Sequence, residues 1–95
     1  MTAEQTMAPI TAETIEEELL AFLAERIKTT VGTDQDLFKT GLVSSMFAMQ
    51  LVVYLEERYD IAVIGKDLTL DNFRSVQAMT RLVLRLRDTN EAENA

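Results

Sequence analysis

Three stretches of the chain carry apolar residues at helical spacing. In the first, Ile15, Leu19, Phe22, Leu23 and Ile27 follow the i, i+4, i+7, i+8, i+12 pattern of one buried face. Thr11 stands as a cap before it, with Ile10 and Ile15 at the staple positions, and Thr14 with Glu17 offers a competing capping box one turn later. Glu13, Glu16, Glu17 and Glu18 place negative charge early, where it complements the helix dipole. Thr29, Thr30 and Val31 weaken the helix and Gly32 is the expected stop.

The second stretch predicts a helix from about Ser44 to Tyr59. Ala48, Leu51, Val52, Leu55 and Tyr59 form its core stripe. Met46, Met49 and Val53 form a second apolar stripe, flanked by Phe47 and Tyr54. A helix apolar on two sides is either central and buried or keeps one face for a partner, and methionines suit a partner face because they adapt to several shapes. The partner face is the expectation here, since a small bundle cannot bury a helix on all sides.

The third stretch starts near Asn72 or Ser75, with Val76, Met79, Leu82, Val83 and Leu86 inward. Its arginines, Arg74, Arg81, Arg85 and Arg87, are expected to complement the dipole at the helix end and not to form a basic docking patch.

Between these helices lie two connections. Thr33 to Val43 is a long loop with turn-forming Asp34 and Asp36, and Leu37 or Phe38 should pin it to the core. Ile61 to Ile64 is too short for a trustworthy strand, Gly65 to Asp67 reads as a turn, and Leu68 to Phe73 has room for one irregular helical turn. The expected fold is an all-α bundle with three main helices and a short fourth between the second and the last. The expected domain spans 11–87, between flexible tails at 1–10 and 88–95.

Composition removes several chemistries. Ninety-five residues, 47% of them apolar, suffice for one domain with a core but leave little room for a deep enclosed substrate pocket. With no Cys and no His there are no disulfides, no His/Cys zinc sites and no Ser-His-Asp triad, and we expect no metal and no catalytic residue. The carboxylates Asp34, Asp36 and Asp67 are the remaining enzymatic candidates, but isolated acids on turns are more often solvated caps. A net charge of −7 disfavours nucleic acid and anionic membranes and suits basic surfaces of larger proteins, although acidity commonly serves solubility alone. No apolar run is long enough to span a bilayer and the N-terminus has no signal-like core, so a cytoplasmic monomer is expected.

The chemistry-bearing stretch is Gly41 to Tyr59. Gly41 supplies backbone freedom before two serines, and a serine at a helix start is well placed to carry a phosphate, facing free N–H groups and the positive end of the dipole.

In order and spacing, Gly41, Ser44-Ser45-Met46, Leu51-Val52 and Leu55-Glu56-Glu57-Arg58-Tyr59-Asp60 resemble the acyl carrier proteins and related carrier domains. Ile61-x-Val63, Asp67 and Asn72-Phe73-x-Ser75-Val76 resemble the family's approach to its last helix. The similarity covers roughly Thr11 to Leu86.

It implies a four-helix bundle with a short third helix. It also implies that a phosphopantetheinyl transferase attaches 4′-phosphopantetheine from coenzyme A to Ser45, and that the arm's thiol then holds acyl groups as thioesters for loading and processing enzymes. The carrier itself catalyses nothing.

Ser44 replaces the family's usual Asp and brings a cap without charge; Met46 replaces the usual Leu. Where many members carry acids along the second helix, this chain has Phe47, Met49, Gln50 and Val53, with no carboxylate before Glu56. Docking through Met46, Phe47, Met49, Gln50 and Val53 is therefore expected to depend on apolar contacts more than on charge. The Val43-Ser44-Ser45-Met46-Phe47-Ala48-x-Gln50-Leu51-Val52 run also resembles discrete carriers of unusual polyketide extender units such as methoxymalonyl. A peptidyl or aminoacyl carrier of the same fold is the first alternative. The second is a cofactor-free helical adaptor binding through Met46, Met49 and Val53.

Overall fold

The computed structural model describes residues 10–94, so the expected tail over residues 1–9 lies outside the described residues. Four α-helices and no strand are found among them: α1 (Ala12–Ile27), α2 (Ser45–Tyr59), α3 (Leu70–Phe73) and α4 (Val76–Asn94). A 3-10 turn, Gly65–Asp67, precedes α3. The fold is the expected all-α bundle of acyl-carrier type, with a short third helix. α4 packs against α1, α2 and α3.

Each helix start has a local cause. At α1 the Thr11 hydroxyl accepts from the Thr14 N–H at 3.3 Å, and the Thr14 hydroxyl accepts from the Thr11 N–H at 2.9 Å. Thr14 thus completes a reciprocal capping box at Thr11 in place of starting one with Glu17. Ile15, Leu19 and Leu23 are fully buried.

α1 stops at Ile27, five residues before Gly32. Lys28 takes the left-handed conformation, with φ 60°, and its N–H returns to the Ala24 carbonyl. The β-branched run Thr29-Thr30-Val31 ends the helix before a glycine is needed. Val31 then turns inward and is buried.

The long loop is anchored to the core. Leu37 is fully buried, and its N–H donates to the Arg74 carbonyl at 2.7 Å. Phe38 packs half-buried beside it. The Asp36 carboxylate accepts from the N–H groups of Phe38 and Lys39, at 3.1 and 2.8 Å. Gln77 donates its N–H to the Thr33 carbonyl at 2.8 Å, which ties the loop to the start of α4.

α2 buries Leu51, Val52, Leu55 and Tyr59, as its core stripe requires; Ala48 is half-buried. The Tyr59 hydroxyl donates to Glu18 at 2.6 Å, and Arg58 pairs with the same carboxylate. Burial, and then the hydrogen bond to Glu18, push the Tyr59 phenol well above the usual tyrosine range. Burial first, and then the Glu18 charge, raise Tyr54 as well.

α4 runs on to Asn94, past Arg87, where the expected domain ended. Its arginines are therefore not in the last turn, and the dipole does not account for them. Arg85 and Arg87 instead tether α4 to other parts of the chain. Arg85 pairs with the buried Asp67 at 3.1 Å, and Arg87 donates to the Tyr59 carbonyl at 2.8 Å. Arg74, just before α4, pairs with Asp71 at 2.8 Å. The Ser75 hydroxyl accepts from the Ala78 N–H at 3.0 Å and holds the start of the helix.

Candidate functional site

The site is assembled where the long loop meets α2. Gly41 has a φ of +78°, which side-chain-bearing residues rarely adopt, and its N–H donates to the Phe38 carbonyl at 3.0 Å. The turn sets Val43 into the core and delivers Ser44 in extended conformation, φ −92°, ψ 169°. Ser44 is the cap of α2: its hydroxyl accepts from the Phe47 N–H at 3.2 Å, and its carbonyl accepts from the Ala48 N–H at 2.9 Å. Ser45 is thereby the first residue of α2, and it is exposed. No acidic residue sits in the first turn of this helix.

Beside Ser45 lies an open apolar cleft of about 170 Å³, walled by Phe38 from the loop, Met49 and Val52 from α2, and Leu68, Leu70 and Phe73 around α3. No charged residue lines it.

The second apolar stripe of α2 faces solvent. Met46 is 82% exposed, Met49 56% and Val53 48%, which decides against the buried-helix reading. Leu68 and Leu70 are exposed across the cleft from Met49. Gln50 is exposed and accepts from Arg26 at 3.3 Å. Phe47 differs from its neighbours: it is half-buried and stacks on Phe22 of α1, with ring centroids 6.2 Å apart. Phe22 also stacks on Tyr54 at 4.1 Å and lies under the Arg26 guanidinium at 4.7 Å. Phe47 therefore serves the α1–α2 contact as well as the surface.

The carboxylates considered as enzymatic candidates are not brought together. Asp36 caps the loop, and Asp67 is buried against Arg85. Among the described residues no group of three His, Cys, Asp or Glu could hold a metal ion. The residues that sequence reasoning missed are Leu68, Leu70 and Phe73 on the far wall of the cleft. Their signal was apolar residues in a short segment with no clear period.

A scan against family models finds no match. Among curated proteins, the chain is similar to the D-alanyl carrier protein of Streptococcus sanguinis, 30% identical over 76 residues, which cover 78% of this chain and 96% of that protein. The D-alanyl carrier protein of Lactobacillus delbrueckii subsp. bulgaricus is 26% identical over 76 residues, covering 78% of this chain and 95% of that protein. That of Streptococcus gordonii is 34% identical over 55 residues, covering 58% and 70%. The cofactor of this family is 4′-phosphopantetheine, and an exposed serine hydroxyl at a helix start free of carboxylates fits its phosphate. The chain belongs to the carrier-protein family and is a non-catalytic carrier.

Proposed function

We propose that Ser45 is the attachment site of the 4′-phosphopantetheine arm and that the protein carries acyl groups between biosynthetic enzymes. The observation that carries this reading is the exposure of Ser45 as the first residue of α2, presented by the Ser44 cap beside an apolar cleft.

The residues divide the work. Gly41 turns the loop, Ser44 fixes the helix start, and Ser45 offers its hydroxyl. That hydroxyl must lose its proton on attachment. Its oxygen then bonds to the phosphopantetheinyl phosphorus as the phosphoanhydride bond of coenzyme A breaks and adenosine 3′,5′-bisphosphate leaves; the first turn of α2 holds no carboxylate and the chain no histidine, so this helix start offers no base of its own for the proton. When bound, the arm supplies a thiol that holds acyl groups as thioesters.

Met46, Met49 and Val53 form the docking face for the transferase and for loading and processing enzymes, with Phe47 and Gln50 at its α1 edge. Docking is transient and the protein is a cytoplasmic monomer. Among the described residues no helix is long and apolar enough to cross a membrane.

The cargo has two readings. The Val43–Val52 run favours a small extender unit of polyketide or fatty-acid type assembly, such as methoxymalonyl. The names of the relatives favour an aminoacyl group such as D-alanine. A cofactor-free adaptor is the weakest reading, since the chain belongs to a carrier family.

Tandem mass spectrometry of the modified protein is expected to place the arm on Ser45 and not on Ser44. Offering the modified protein to acyl-loading and to aminoacyl-adenylating enzymes then separates the cargo readings. An arm found on Ser44 would overturn the assignment.

A further inference from the structure

The loop that delivers Ser45 is organised by one partly exposed carboxylate, that of Asp36. Its Oδ1 accepts from the N–H groups of Phe38 and Lys39, and the Asp36 carbonyl accepts from the Thr40 hydroxyl at 2.9 Å. These bonds close the chain into a tight turn over residues 36–40. The other oxygen, Oδ2, lies 3.9 Å from the Arg74 guanidinium, which also pairs with Asp71 on α3. Asp36 therefore stands between the serine-bearing loop and the helix that walls the far side of the cleft.

Leu37 passes this arrangement on to the site. Its N–H donates to the Arg74 carbonyl, and its carbonyl accepts from the N–H groups of both Leu42 and Val43, each at 3.1 Å. Val43 directly precedes the Ser44 cap. Phe38, whose N–H Asp36 holds, is itself a wall of the cleft beside Ser45. Asp36 thus acts on Ser45 through the loop backbone.

We propose that Asp36 is a positioning residue for attachment of the arm: the shape of its carboxylate, and not its charge, holds the turn that fixes the Ser45 hydroxyl in its reactive pose. The inference rests on Ser45 being the attachment site. A reacting group misplaced by about 1 Å can lose on the order of 100-fold in rate. The ion pair to Arg74 is partly exposed on both sides, and such pairs add little stability. Replacing Asp36 should therefore harm transfer far more than folding.

The competing role is a docking charge for a basic surface of the transferase. Two substitutions separate shape from charge. Asp36→Asn keeps an acceptor oxygen at the Oδ1 position and removes the charge. Asp36→Glu keeps the charge, and its extra methylene carries the oxygens away from the Phe38 and Lys39 N–H groups.

The test is kcat and KM of phosphopantetheine transfer from coenzyme A by a broad-specificity transferase, with the carrier as varied substrate. The carriers are wild type, Asp36→Asn, Asp36→Glu, Asp36→Ala and, as a destabilised control remote from the loop, Thr11→Ala. The kcat of Asp36→Ala and Asp36→Glu is expected to fall about 10- to 100-fold, with Asp36→Asn and Thr11→Ala near wild type.

An unchanged kcat in Asp36→Ala would overturn the proposal. Asp36→Asn as slow as Asp36→Ala, or an effect confined to KM, would make Asp36 a docking charge instead. An equal fall in Thr11→Ala would reduce the effect to general destabilisation. Should Asp36→Ala not fold, the order of Asp36→Asn and Asp36→Glu decides alone. Failure of the attachment reading is seen separately, as an arm located on a residue other than Ser45 in modified wild type.

Discussion

The starts of α1 and α2 are built for different purposes. α1 opens with two threonines that satisfy each other's backbone and with an acid in the first turn, and its Ile15, Leu19 and Leu23 are fully buried. α2 opens with a single serine cap and no acid, and then exposes Ser45, Met46 and Met49. Every local device at the first helix lowers the energy of the fold. At the second, devices of the same kind are left out, and what remains open is a hydroxyl, a positive helix end and an apolar stripe. Features that a stable bundle does not need are the ones that a carrier does.

The comparison breaks most forcefully at the core of α1. Leu19 is fully buried, and Leu19→Ala should cost about 2–5 kcal/mol in chemical denaturation. Met49→Ala, on the exposed stripe of α2, should change stability by less than about 0.5 kcal/mol. It should nevertheless slow modification or transfer with a cognate partner. Unchanged transfer kinetics in Met49→Ala would remove the apolar face from the docking account.

The two caps come next. Thr11→Ala removes one side of a reciprocal box and should cost about 1 kcal/mol, read as a fall in melting temperature. Ser44→Ala should cost a similar amount, about 0.5–1 kcal/mol, because its single bond to the Phe47 N–H is exposed. It should still accept the arm, since Ser45 stays in place. Loss of modification in a folded Ser44→Ala protein would make Ser44 more than a cap.

A further effect, absent at neutral pH, appears at high pH. Tyr59 and Tyr54 are both raised above 10.0 in the folded state, so the folded protein keeps phenol protons that the unfolded chain releases. Their contribution to stability is fully present below pH 10 and is lost progressively as pH rises above it. Tyr59→Phe should flatten that alkaline decline and cost about 1 kcal/mol at neutral pH through the lost bond to Glu18. An alkaline decline equally steep in Tyr59→Phe would mean that Tyr59 is not its source.

How much of this was legible in the sequence follows from what each feature depends on. The faces of α1, α2 and α4 are written in local spacing, and Leu19, Leu51, Leu55 and Met79 are inward as the period requires. The start of α2 at Ser44 and Ser45 was legible because its signal lies within a few residues.

The end of α1 was not. Three β-branched residues and one glycine compete to stop it, and the weaker but earlier signal prevails at Ile27. The end of α4 was hidden because residues 88–94 lack the apolar spacing that marks a buried helix, although the backbone continues helical. The arginine tethers join residues distant in sequence: Arg85 meets Asp67, and Arg87 meets Tyr59. Local charge therefore pointed to the dipole instead. The cleft wall of Leu68, Leu70 and Phe73 exists only once α3 is folded against α2 and α4.

The central claim is that this exposed helix start carries the arm on Ser45. Its most direct test is the intact mass of wild type, Ser44→Ala and Ser45→Ala after incubation with coenzyme A and a broad-specificity phosphopantetheinyl transferase. The account predicts one added phosphopantetheine on wild type and Ser44→Ala, and none on Ser45→Ala. Addition to a folded Ser45→Ala protein, or to none of the three with several transferases, would contradict it.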